Sequence, residues 1–240
     1  MTPEATTILT HLRSVATERF RRDSDRGLAS RVIALKTYQQ RRFAKTYADI
    51  LATARYGPAA HFFLEELYGP RDFADRDTQF ARVVPALVRL FPREIVATVA
   101  ILAELHALSE TLDSAAASHL ESDDVDAIGY VRAWQATERR NDRERQIALT
   151  LTVGESLDRL TRNPVLRHTL RMMRGPAKAA GLADLQRFLE TGFDAFKAMH
   201  GAREFLNTIE TRERRLAQAL FESPLQSERR IGDTALGQLP

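Results

Sequence analysis

Chain-breaking residues are few in this sequence, and they fall at helix-length intervals. The 240 residues contain 11 Gly and 9 Pro, most at points where one run of helical apolar spacing ends and another begins. No stretch combines the apolar–polar alternation and turn signals of a strand, and no repeat of solenoid length occurs. The pattern predicts an all-α, single-domain multi-helix bundle of about eight to ten helices. The domain is expected over residues 1–222, with a flexible tail at 223–240, because apolar density collapses after Ser223-Pro224.

The same punctuation places the helices. Thr2-Pro3-Glu4 opens one that runs to about Arg22, and Ser24, Asp25 and Gly27 separate it from a second, from about Leu28 to Arg55. Tyr56-Gly57-Pro58 reads as a stop and a restart, with Gly57 in the left-handed position after a helix. Tyr68-Gly69-Pro70 repeats it, and Asp72 or Asp75 caps the next helix, which Pro85 should bend or split. Pro92 opens a long apolar helix to about Leu120, and Ser122-Asp123-Asp124 caps another. Asn163-Pro164 starts a helix that ends at Gly175-Pro176. One long helix is then expected from Leu182 to about Phe221. Its small residues Gly192, Ala195, Ala198, Gly201 and Ala202 invite close approach by a helix of the same chain or of a second copy.

Composition removes several function classes. Without Cys there is no thiol nucleophile, no disulfide and no Cys-ligated metal. The 35 basic and 32 acidic residues leave a net charge of only +3, which argues against affinity for polyanions through bulk charge. Most Arg-Arg steps are interleaved with acids, as in Glu138–Arg145, and mixed runs of this kind form solvated helix faces. Nucleic acid is therefore not expected as a partner. The most basic patch runs from Thr17 to Arg31, with Arg19, Arg21, Arg22, Arg26 and Arg31. The first twenty residues lack the pattern of a secretory signal, and Ile95–Leu108 is interrupted by Thr98, Glu104 and His106. A cytoplasmic protein without a membrane partner is expected.

Residues 62–77, FFLEELYGPRDFADRD, are the most distinctive block. With RQIALTLTVGESLDRL and PAKAAGLADLQRFLETGFDAFKAMHGAREFL, they resemble an uncharacterised bacterial family of all-helical proteins, over roughly residues 30–222. The resemblance implies a bacterial, helical, single-domain protein and carries no activity or catalytic residue. Read physically, Phe62, Phe63, Leu64 and Leu67 make a short helix apolar on most sides, which must be buried by its neighbours. Asp72, Asp75 and Asp77 are expected as helix-start carboxylates with Arg71, Arg76 and Arg82 as partners. They are not expected as calcium ligands, because the EF-hand glycine and glutamate are missing.

Three of the six histidines have Glu four residues later: His61/Glu65, His106/Glu110 and His200/Glu204. That spacing puts both side chains on one helix face, and it occurs in the ligand sets of non-haem metal bundles. These six residues are the only ligand pool for a metal, but Glu-x-x-His and His-x-x-x-His motifs are absent, so no ferritin-like or hemerythrin-like set is complete. No cofactor is expected, and ordinary helical pairing is the simpler reading. Gly-x-Ser-x-Gly and phosphate-binding glycine loops are also missing, and Gly154 reads as a packing glycine. The sequence thus points to a non-catalytic helical protein acting through protein–protein contacts, as a homodimer. A metal- or small-ligand-binding bundle and an anion-binding module are the alternatives.

Overall fold

The computed structural model describes residues 2–67, 70, 73–223 and 235–240. Among these there is no strand, and the chain forms twelve α-helical segments in one all-α bundle. They are α1 (Pro3–Asp23), α2 (Arg26–Thr46), α3 (Ala48–Leu51), α4 (Gly57–Phe62), α5 (Ala74–Leu90) and α6 (Arg93–Ser118), then α7 (Ala127–Ala136), α8 (Arg140–Thr161), α9 (Pro164–Met172), α10 (Arg174–Ala179), α11 (Ala183–Ala198) and α12 (Arg203–Glu222). A π-turn at Phe63–Leu67 prolongs α4, and a 3-10 turn covers Ala235–Gln238.

α6 is the central helix and packs against α1, α2, α5, α7 and α8. It is long and apolar enough, by length and composition, to cross a membrane. Here its flanks are taken by neighbouring helices, and it carries buried Glu110 and Asp113. Three apolar clusters make up the core, two of them including α6 residues. Ile8, Leu12, Val84 and Val96 join α1, α5 and α6. Leu35, Tyr38, Tyr130, Trp134 and Leu220 join α2, α7 and α12. Phe62, Phe63, Phe196, Met199 and Phe205 seat α4 and the π-turn on α11 and α12, so the short apolar helix is buried as its composition requires.

Several boundaries follow the sequence signals. Thr2 accepts from the Ala5 N–H, Asp25 from Leu28 and Asn163 from Val165, each ahead of the helix that it opens. Others differ, for tertiary reasons. The second helix stops at Thr46, where Arg212 Nη1 donates to the Thr46 carbonyl at 2.7 Å and the buried Tyr47 turns away from helical geometry. Gly57 does not occupy the left-handed region; it starts α4, where a Cβ would lie 2.8 Å from the Leu51 carbonyl oxygen. Pro85 does not split α5: the fully buried Val84, with half-buried Phe80, Leu87 and Val88 packed in the same cluster as α1, holds the helix through the missing hydrogen bond. Asp126, rather than Ser122–Asp124, caps α7 through the Gly129 N–H. Gly175-Pro176 lies inside α10, because the chain breaks earlier, at Met173.

The expected long C-terminal helix is two helices. His200 (φ 52°) and Gly201 (φ 115°) turn the chain between α11 and α12, so Gly201 serves a corner and not a helix face. Asp158 accepts from the Ala202 N–H at 3.0 Å, and Arg55 Nε donates to the Met199 carbonyl at 2.8 Å, which pins that corner. Gly192 and Gly154 do admit close neighbours, the Phe62 ring and Leu206. Residues 235–240 are not loose: Leu236 and Leu239 are buried beside Trp134 and Leu220, and Lys45 Nζ donates to the Leu239 carbonyl at 2.6 Å. Tyr68, Gly69, Arg71, Asp72 and 224–234 lie outside the described residues.

Candidate functional site

α6 presents His106, Glu110, Asp113 and Ser114 on one side, as i, i+4, i+7 and i+8 spacing requires. α1 and α2 lay opposite charge against them. Arg22 donates to Glu110 Oε2 through Nη1, to the Glu110 carbonyl through Nη2 and to Ser114 Oγ through Nε. Lys36 Nζ donates to Glu110 Oε1 at 2.7 Å and lies 3.8 Å from Asp113, whose Oδ1 accepts from Gln39 Nε2 at 3.1 Å. One helical turn earlier, His106 Nε2 lies 2.8 Å from Asp77 Oδ2, which also accepts from Arg19 Nη2 at 2.7 Å. Seven ionisable side chains from four helices thus form one charged layer where α1, α2, α5 and α6 meet.

Burial alone would raise the carboxyl of Glu110, but Lys36 and Arg22 outweigh it and hold the group down to about 2. Asp77 is also held below the usual carboxylate range, since His106 and Arg19 overcome the burial that opposes them. Glu110 is saturated: both carboxylate oxygens and its backbone carbonyl are bonded to cations, which suits anchoring three helices rather than exchanging a proton.

The expected histidine pairs are not gathered. His61 Nδ1 is 3.9 Å from Glu65 Oε1, and both are exposed. His106 turns to Asp77 and Glu110 to Arg22 and Lys36. His200 is exposed at the α11–α12 corner, while Glu204 accepts from Tyr56 Oη and, at 3.3 Å, from Arg55 Nη1. Among the described residues no three His, Asp or Glu side chains are grouped so as to hold a metal ion. The basic patch at 17–31 is likewise divided. Arg19 and Arg22 point inward to Asp77 and Glu110, and Arg21 pairs with Glu18 on the same helix.

Two arrangements lie outside the sequence expectations. Arg42 Nη1 donates to Glu213 Oε1 at 2.5 Å, which also accepts from Tyr47 Oη at 2.8 Å, joining α2 to α12. Arg143, also buried, lies over the Trp134 ring at 4.1 Å. The other arrangement is on the surface. Residues 159–183 contain Arg159, Arg162, Arg167, Arg171, Arg174 and Lys178 and no Asp or Glu. Along that stretch Val165 and Met172, two turns apart on α9, are 66% and 67% exposed, and Met173 follows at 42%. Further along, from Arg174 on, a shallow cleft of about 340 Å³ between α10 and α11 is lined by Arg174, Lys178, Gln186, Arg187, Glu190 and Asp194. A single acid-count along the sequence would have found this segment; the exposure of its apolar residues required the fold.

A family model described as "Domain of unknown function (DUF8198)" matches residues 18–227. The chain belongs to the DUF8198 family. The match begins before and ends after the 30–222 span of the sequence resemblance, and it takes in the α1–α6 charged layer, the α9–α10 face and all of α12. No curated protein and no solved structure matches the chain.

Proposed function

We propose that this protein is a non-catalytic helical protein that works through protein–protein contacts, itself as a homodimer. The observation that carries the reading of protein–protein contact is the outer side of α9, where Val165 and Met172 are exposed on one face and Met173 extends it; two copies of the chain would pair through a different surface. Scattered exposed apolar residues are ordinary, but repetition on one face with a polar rim is characteristic of contact surfaces. The α1–α6 charged layer supports it from the other side, since its carboxylates are spent on holding helices together. A bacterial, cytoplasmic setting belongs to the same proposal, and fractionation of the producing cells checks it. Light scattering on the purified chain tests the oligomer directly. Twice the 27.1 kDa chain mass at micromolar loading supports a homodimer, and a constant single-chain mass over the whole concentration range refutes it.

A further inference from the structure

We infer that the α9–α10 face docks an acidic amphipathic helical segment of a partner protein, an inference that rests on the reading of protein–protein contact above. Charge selects the sign of the partner. The segment 159–183 has six Arg or Lys and no acid. Acids outside the segment offset four of the six: Glu94 pairs with Arg159, Asp158 with Arg162, Asp194 with Arg167 and Glu190 with Arg174. The Arg171 and Lys178 side chains remain without an ion pair or hydrogen bond among the described residues.

The apolar part selects the class. Phosphate recognition by nucleic-acid binders needs cations and backbone donors and gains nothing from exposed Val165, Met172 and Met173. Methionine side chains are flexible and polarizable and adapt to varied apolar partners. The open cleft between α10 and α11 is lined by polar side chains, Lys178 among them, so it suits a carboxylate side chain projecting from a helix better than the acyl surface of a bilayer. A second copy using the same face is disfavoured, because two-fold pairing would set its cations against their own copies. The complementary ligand is thus a helix with one apolar stripe flanked by Glu or Asp.

Methionine supplies the probe. The chain has four, Met1, Met172, Met173 and Met199, and Met199 is fully buried under α11 and α12. In the full-length chain labelled with 13C at the methionine methyls, a synthetic helical peptide of Leu and Glu heptads is expected to shift Met172 and Met173 saturably. Met199 should stay in place as the internal control for an intact core. Arg171→Glu combined with Lys178→Glu should weaken binding at least ~tenfold, since charge reversal at an interface turns attraction into repulsion. Met172→Ser combined with Met173→Ser, read by peptide fluorescence anisotropy, should weaken it as well. A Leu and Lys peptide of the same length should not bind.

No shift with the Glu peptide, or an equal shift with the Lys peptide, overturns the inference. A response to phosphatidylserine vesicles and not to the Glu peptide also overturns it and assigns the face to a membrane. The wider reading is separable. A dimer by light scattering with a silent Glu peptide defeats this inference alone, whereas a saturable Glu peptide on a monomeric chain defeats the homodimer and leaves the docking face.

Discussion

Glu110 shows how far a residue's role departs from its local spacing. Helical spacing couples it to His106, yet it bonds Arg22 and Lys36 from helices more than 70 positions away in the chain. Removing one partner from a buried pair leaves the others unpaired, so Glu110→Ala should lower stability by about 3–5 kcal/mol in chemical denaturation. Exposed Glu65→Ala, carrying the same His spacing, should change it by less than ~0.5 kcal/mol. The pH dependence has a defined sign. A carboxyl held at about 2 in the folded state contributes stability that is fully present above its unfolded value near 4.5 and is lost as pH falls toward 2. Asp77, also depressed, acts in the same direction. Denaturation midpoints measured across that window should fall steadily in the wild type and fall less in Glu110→Gln, which has no proton to take up at that position.

Helices, as elements, were largely legible. Thr2, Asp25 and Asn163 cap where local chemistry says they should, because a cap is a bond between residues two or three apart. Breaks were less legible where a distant group makes them. α2 ends because Arg212, on α12, takes the Thr46 carbonyl, and nothing near position 46 announces it. Gly154 and Gly192 admit close neighbours as their helical positions suggest, whereas Gly57 and Gly201 are required for reasons that local sequence does not show. At Gly57 the constraint is the Leu51 carbonyl, and at Gly201 it is a φ of 115°. Gly57→Ala and Gly201→Ala should each destabilise by about 1–3 kcal/mol, through steric overlap and backbone strain respectively. Gly154→Ala meets only the flexible end of Leu206 and should cost less than either. Thermal or urea unfolding of the three variants side by side measures the order.

Across the whole molecule, the C-terminal residues close the core. Leu236 and Leu239 are 2% and 4% exposed and belong to the cluster of Trp134, Leu35 and Leu220. Leu236→Ala and Leu239→Ala should therefore each cost about 2–5 kcal/mol, as large-to-small changes in a packed core do. Because Trp134 is the single tryptophan, its fluorescence reports the loosening directly. The sequence by itself determined the class of architecture, since helical apolar periodicity, capping residues and sparse glycine and proline all act within a few residues along the chain. It also excluded thiol chemistry outright, since there is no cysteine. Tertiary structure alone decided which charges meet. Arg22, Lys36, Asp77 and Glu110 come together only when four helices pack, and a carboxylate leaves water only where cations arriving from other helices compensate its desolvation. It also decided which apolar residues stay outside. Val165 and Met172 have the composition of a core, and only the position of α9 at the edge of the bundle leaves them exposed.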